Sequence, residues 1–316
     1  MDINLEQAVD FLRQRDDFLV LAHMDPDGDT LGSAFALCGA LQRLGKRARV
    51  DCSDKIDKKY NYMFNGIENQ RFKIHTVVAV DVADAQLLGE KMSVYAETTD
   101  LCIDHHAARN LFARRTLRDA SAAATGEIIF SLIQQLDVPF DQAIAACIYT
   151  AVATDTGCFK FSNTTSRSHF IAASMIEQGI DHAAINREMF DVKTRSRLEI
   201  ERLVLKNIEF FLEDRCAVIC ITDMMRKNAC VSESDLDGIT ALPRQIEGVL
   251  AGITLREKED GTVRISVRTV DGVNAAGICA KMGGGGHKNA AGCQFKGSME
   301  EAKTQMVAFA AQELDS

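Results

Sequence analysis

Short apolar runs alternate with helical patterns through the first 190 residues of the chain. Segments 18–22, 77–80 and 101–103 have the length and composition of buried strands, and each ends at a polar residue. Behind the first of them, Leu31, Ala34, Phe35, Cys38, Leu41 and Leu44 recur at three- and four-residue spacing and stop at Gly45, which predicts an amphipathic helix. Further helices are expected around 84–95, 122–136 and 141–153. Strands that alternate with helices form βαβ units, so the expected class is α/β, with a mostly parallel sheet flanked by helices over residues 1–190. Ligands of such sheets gather at the carboxyl ends of the strands, which is where the polar residues fall.

The pattern changes near residue 190. Residues 193–205 are charged and helical in spacing, and 191–211 is expected to be a helical linker. Beyond it, 216–222 reads as a strand, and 249–255 and 263–269 read as a hairpin around Glu259-Asp260-Gly261. In the second arm Val263, Ile265 and Val267 alternate with Arg264, Ser266 and Arg268, so one face is expected to be buried while the other presents two arginines. A helix at 273–282, a glycine run and a final helix at 299–313 complete a smaller α+β domain over 212–316.

Composition removes several classes of function. The chain has 316 residues, a formal net charge of −9, 47% hydrophobic and 26% charged residues, which is ordinary globular material rather than a disordered composition. Its apolar runs fall far short of the roughly 20 residues a membrane-spanning helix needs. The first residues, Met1 to Glu6, lack the basic and apolar regions of a secretory signal, so a cytoplasmic location is expected. Ten cysteines with no Cys-x-x-Cys pair fit reduced thiols in that compartment. An acidic balance argues against coating long duplex nucleic acid, but it leaves small phosphorylated substrates open.

The densest chemical signal is His23-Met24-Asp25-Pro26-Asp27-Gly28-Asp29, between a strand and a helix. Three carboxylates this close repel one another unless a cation lies among them. On its own the segment reads equally well as a turn followed by a helix cap. Three more segments add to it: Asp81, with Asp84 three residues on, Asp104-His105-His106, and Thr154-Asp155-Thr156-Gly157. Carboxylates and imidazoles without a thiolate suit Mn²⁺ or a related divalent ion better than structural zinc. Six such ligands suit two ions about 3.5–4 Å apart bridged by a carboxylate, an arrangement used for attack at phosphorus. Residues 283–292, four glycines followed by His287 and a stretch of small residues, could bring backbone N–H groups close to an anion or could serve as a hinge; no P-loop pattern is present.

The ordered set HMDPDGDTLGS, VVAVD, IDHH, ATDTGCF and GGGGHKNAAG spans essentially the whole chain and resembles the DHH/DHHA1 phosphoesterase family. Within that family it is most similar to the NrnA-like branch of oligoribonucleases (nanoRNases) and phosphatases of 3′-phosphoadenosine 5′-phosphate (pAp). The resemblance implies a DHH catalytic domain at 1–190 and a DHHA1 substrate-binding domain at 212–316. It implies two Mn²⁺ ions, or other divalent metals, with His23 and Asp27 on the first, Asp29, His105 and Asp155 on the second, and Asp81 bridging them. His106 would face the substrate phosphate and Asp104 would support it, whereas Asp25 and Asp84 take no role from the family pattern. Arg268, His287 and the backbone of Gly284, Gly285 and Gly286 would hold the non-scissile phosphate, so that one domain measures the substrate that the other cuts. The family commonly has Asn three residues after the second His; this chain has Arg109 there, with Asn110 next, which makes Arg109 a candidate phosphate contact.

The activity implied is Mn²⁺-dependent cleavage of RNA about two to five nucleotides long to mononucleotides, together with dephosphorylation of pAp. The same motifs would also serve a phosphodiesterase for signalling dinucleotides such as pApA, pGpG or cyclic di-AMP. A RecJ-like single-strand exonuclease and a non-catalytic nucleotide sensor are more distant alternatives. A homodimer is left open.

Overall fold

A computed structural model of the chain describes residues 1–106, 112–236, 238–258 and 260–315. It divides into two units, Met1–Val192 and Lys193–Ser316.

The first unit is built on β1 (Asp2–Ile3), α1 (Leu5–Gln14), β2 (Phe18–Leu21), α2 (Gly28–Arg43), β3 (Ala48–Asp51), β4 (Thr76–Val80), α3 (Gly89–Met92), β5 (Leu101–Asp104), β6 (Arg115–Arg118), α4 (Thr125–Gln135), α5 (Gln142–Asp155), α6 (Ser166–Ile176) and α7 (His182–Asn186). Its strands form one six-stranded sheet in the order β1-β6-β5-β4-β2-β3, and every pairing is parallel. β2 is buried along its whole length because both faces are covered: Phe18 and Val20 join one core and Leu19 and Leu21 another. From β2 the chain runs one way to β3 and then returns past β2 to β4, β5 and β6. The strand order therefore reverses between β2 and β4, and the crevice outside their carboxyl ends is where an open α/β sheet takes its ligand.

Helix α2 is buried from Gly28 to Leu41, and it packs against α5. Glycines permit the close approach. A Cβ added at Gly28 would lie 2.4 Å from Cγ2 of Thr154, and one at Gly32 would lie 2.4 Å from the carbonyl oxygen of Cys147. The first turn of α2 thus lies against the last turn of α5, which sets the site described below.

The single helix expected at 84–95 is corrected to three short pieces: a 3₁₀ turn at Ala85–Leu88, the one-turn α3, and a 3₁₀ segment at Ser93–Thr98. Gly89 stands at φ 70°, a left-handed conformation that interrupts any continuous right-handed helix. The expected helix at 122–136 starts three residues later, at Thr125.

The second unit contains α8 (Arg195–Lys206), β7 (Glu209–Phe211), β8 (Cys216–Ile221), α9 (Asp223–Asn228), β9 (Ala251–Glu257), β10 (Thr262–Thr269), α10 (Ala275–Ala280), β11 (Gly285–His287), β12 (Ala290–Lys296) and α11 (Met299–Leu314). These strands make a mixed sheet in the order β11-β12-β10-β9-β8-β7, parallel only between β8 and β9. Val263, Ile265 and Val267 point into a core shared with Ala302, Met306 and Ala310 of α11. On the opposite face, Ile219 and Ile221 pack with Ile200 and Val204 of α8. The glycine run is partly ordered into sheet, since Gly285, Gly286 and His287 pair antiparallel with Gly292, Ala291 and Ala290. Among the described residues, no helix is long and apolar enough to cross a membrane.

Candidate metal centre

The residues at the carboxyl ends of β2, β4 and β5 meet the facing ends of α2 and α5. His23 follows β2, Asp27 and Asp29 open α2, Asp81 follows β4, His105 follows β5, and Asp155 ends α5. His23 Nε2 is 3.7 Å from Asp27 Oδ1 and 3.6 Å from Asp81 Oδ2. His105 Nε2 is 3.9 Å from Asp29 Oδ2, 3.7 Å from Asp81 Oδ1 and 3.6 Å from Asp155 Oδ2. Two sets of three ligand atoms, His23/Asp27/Asp81 and Asp29/His105/Asp155, are each gathered within 4.8 Å. Asp81 turns one carboxylate oxygen toward each histidine. It takes up a left-handed backbone at φ 59°, a strained conformation that Asp tolerates better than most residues and that tends to persist at functional positions.

The donors fit divalent cations. His23 Nδ1 is tied to the Met24 carbonyl at 2.7 Å and His105 Nδ1 to the Ala122 carbonyl at 3.2 Å. Each carbonyl needs a proton on Nδ1, which leaves the Nε2 lone pair aimed at the carboxylates, the tautomer a metal requires. Three of the four carboxylates also lack the charge balance they need, whereas Asp27, which burial would push up, is held low by His23 and by the amides of Thr30 and Asp29. Burial, followed by the charges of Asp81, Asp155 and Asp27, pushes Asp29 well above the usual carboxylate range. Burial and the Asp27 charge raise Asp81. Asp155 is pushed up to about 6, first by burial; His105 pulls it down while the charges of Asp81 and Asp27 push it up. A bound cation relieves all three. For His23, burial works against the imidazolium, but the nearby carboxylates of Asp27 and Asp81 override it and raise the pKa.

A third set within the same limit, Asp81/His105/His106, is chemically different. His106 Nδ1 is committed to Asp104 Oδ1 at 2.8 Å, and the same oxygen accepts from the His106 amide at 3.2 Å. That hydrogen bond is the largest influence holding the His106 imidazole up to about 9, against burial. His106 is half-exposed, a charged donor beside the cluster rather than a ligand within it.

The structure adds residues that the sequence pattern hid. Asp29 accepts from the Thr125 amide at 2.7 Å, the Gly126 amide at 2.9 Å and the Ser33 hydroxyl at 3.1 Å. It therefore serves as the N-cap of α4, whose own N-cap residue, Ala124, has no side chain to do so. The Thr125 hydroxyl donates to Asp81 Oδ1 at 2.9 Å. The available signal was Thr125-Gly126 after three alanines, a helix start without a capping side chain. Asp25 and Asp84 stay out of the cluster: the Asp25 amide donates to Asp54, and Asp84 caps the turn at Ala85. Arg109 lies outside the described residues.

In the second unit, Arg268 lies on β10 and His287 on β11, with Gly285 and Gly286 beside it in the strand. The Gly284 amide donates to the Cys279 carbonyl, which closes the turn out of α10.

Comparison with known proteins agrees with this arrangement. The DHH family N-terminal domain matches residues 17–152 and the DHHA1 domain matches 220–316. A Thermus thermophilus protein named bifunctional oligoribonuclease and PAP phosphatase NrnA is 30% identical over 93% of this chain and 89% of its own length. A Bacillus subtilis protein of the same name is 22% identical over 89% of this chain and 90% of its own. A crystal structure described as an exopolyphosphatase-related protein from Bacteroides fragilis superposes with a TM-score of 0.85 at 25% identity, covering 98% of this chain and 95% of that one. With both domain matches in order and a relative that aligns along nearly the whole chain, the protein belongs to the DHH family, carries a DHHA1 domain after its DHH domain, and is a metal-dependent phosphoester hydrolase.

Proposed function

We propose that the protein is a Mn²⁺-dependent phosphoesterase that degrades very short RNA to mononucleotides and dephosphorylates pAp. The observation that carries this reading is the pair of three-residue ligand sets, with Asp81 between the two histidines. The relatives named as bifunctional oligoribonuclease and PAP phosphatase support the substrate class. In this reading His23 and Asp27 hold one ion, Asp29, His105 and Asp155 hold the other, and Asp81 is shared. Ions held there would neutralise charge on the phosphoryl group and lower the pKa of the attacking water.

The chain's own groups do the remaining work. His106, kept charged by Asp104, presents Nε2 as a donor that stabilises developing charge and protonates the leaving oxygen. The Thr125 hydroxyl and the start of α4 fix Asp81 and Asp29 so that the ligand oxygens do not have to reorganise. Arg268, His287 and the backbone of Gly285 and Gly286 receive the phosphate that is not cut, Gly284 dropping out because its amide is taken by the Cys279 carbonyl, and Arg109 is retained as a further phosphate contact.

Purified protein with Mn²⁺ is expected to hydrolyse pApA and pAp, and its rate on RNA from two to about twenty nucleotides is expected to fall with length. No turnover on either small substrate would end the proposal. Faster turnover of pGpG or cyclic di-AMP than of pApA and pAp would redirect it to signalling dinucleotides. His105→Ala and Asp155→Ala are each expected to lower kcat by roughly a thousandfold or more, with the far-UV spectrum of the wild type retained.

A further inference from the structure

On the face of the second unit's sheet opposite the α11 core, strand pairing sets His287, Ala290, Arg268 and Gly252 side by side in one row across β11, β12, β10 and β9. Directly paired residues share a face, and strands are about 4.8 Å apart. His287 and Arg268 thus stand roughly 10 Å apart with only an alanine between them. The next row is Gly285, Gly292 and Ser266, so the floor beside the guanidinium and the imidazole carries little more than a hydroxymethyl group.

The bare end of the first row is occupied from above. At Gly252, opposite Arg268, an added Cβ would lie 2.9 Å from the Arg244 amide nitrogen and 2.9 Å from Cβ of Pro243. The 3₁₀ turn Pro243–Gln245 therefore rests directly on the strand, with Pro243 buried and the Arg244 side chain exposed. Among the described residues, neither Arg244 nor Arg268 forms an ion pair, and the one hydrogen bond from the Arg268 guanidinium goes to the adjacent Val267 carbonyl. Most of its five N–H donors are left for a ligand. Burial and then the Arg244 charge lower the pKa of Arg268, with Arg264 adding to the effect, as expected for cations held together without a counter-charge.

We infer that Arg244 is a second guanidinium for the phosphate received at Arg268, and that it makes the protein select substrates ending in a phosphate monoester. A dianionic monoester offers oxygens to both forks, whereas a terminal hydroxyl offers neither charge nor bidentate acceptors. This specificity role rests on the phosphoesterase reading above. Gly252 acts as a positioning residue, because only an absent side chain lets the turn lie where Arg244 can reach the row.

The test measures binding of pApA and ApA, identical apart from the 5′-phosphate, to the full chain in EDTA, where turnover is blocked. The wild type is expected to prefer pApA. Arg244→Ala is expected to shrink the pApA:ApA affinity ratio roughly ten- to a hundredfold, and Gly252→Ala to shrink it in the same direction with Arg244 still present. An Arg244→Ala protein of wild-type melting temperature that keeps the full ratio overturns the inference, as does a wild type that shows no preference. A parallel turnover assay with Mn²⁺ separates the two proposals: discrimination in binding without hydrolysis of pApA or pAp ends the proposed function while the Arg244 contact stands.

Discussion

His106 owes its charge chiefly to one carboxylate. The hydrogen bond that His106 Nδ1 donates to Asp104 is the largest of the influences that hold the imidazole up to about 9, and the charges of Asp81 and Asp155 add to it. Cations bound among Asp81 and Asp155 would cancel those two contributions and leave Asp104 as the main support. A general acid must be protonated to act, so kcat/KM is expected to fall on the alkaline side as His106 loses its proton. Asp104→Asn keeps the shape but removes the charge. The alkaline limb is then expected to move down by more than one pH unit toward the ordinary imidazole value near 6.5, with a drop in kcat of roughly ten- to a hundredfold at pH 8. A pH profile of kcat/KM for pAp checks this, and a limb that stays in place in Asp104→Asn would remove His106 as the acid.

Helices α2 and α5 place the ligands by how closely they pack. Gly32→Ala would set a methyl group 2.4 Å from a backbone oxygen of α5, which cannot yield as a flexible side chain can. The expected cost is about 1–3 kcal/mol of stability, with Mn²⁺ affinity weakened roughly tenfold or more, because Asp29 and Asp155 are carried apart. Gly39→Ala is the contrast on the same helix: its Cβ would meet side-chain ends of Ile144, Ile67 and Arg43 at 3.1–3.3 Å, and metal affinity should hardly change. Calorimetric titration with Mn²⁺ and thermal melts decide the matter, and wild-type values in Gly32→Ala would refute the packing account. The same elements mark what could be read from the chain. β2, β4, β5 and α2 were legible because continuous apolar runs and helical spacing are local signals, and the ligand segments follow them directly. The strand Ala48–Asp51 and the strand Arg115–Arg118 are short and each carries two charged residues, and they became strands only through their parallel partners. The bond from Thr125 to Asp29 joins residues 96 positions apart, and no window along the sequence contains both. Likewise, the glycine run declares itself a strand only when laid against β12.

For the molecule as a whole, the cluster makes stability depend on pH in a direction opposite to that of most acidic sites. In the metal-free fold Asp155 titrates at about 6, whereas its ordinary value is 3.8. Between those values the folded chain holds a proton that the unfolded chain has released, so folding stability falls as pH rises through the window and the loss is complete above it. Asp29 and Asp81 are raised as well and act with the same sign. His23 and His106 are also raised, so the stability that their protonation lends is present below their unfolded values and is lost as pH climbs through the folded ones, again in the same direction. Asp155 alone accounts for on the order of 1–3 kcal/mol once its partial exposure is allowed for, or roughly 3–10 °C in melting temperature. Protein stripped with EDTA is therefore expected to melt lower at pH 8 than at pH 5. Divalent cations compete with those protons, so saturating Mn²⁺ should raise the melting temperature more at pH 8 than at pH 5 and bring the two curves together. If the stripped protein instead becomes more stable from pH 5 to pH 8, or gains no more from Mn²⁺ at the higher pH, the buried carboxylates are balanced by something other than a bound cation, and the two-ion assignment fails with them.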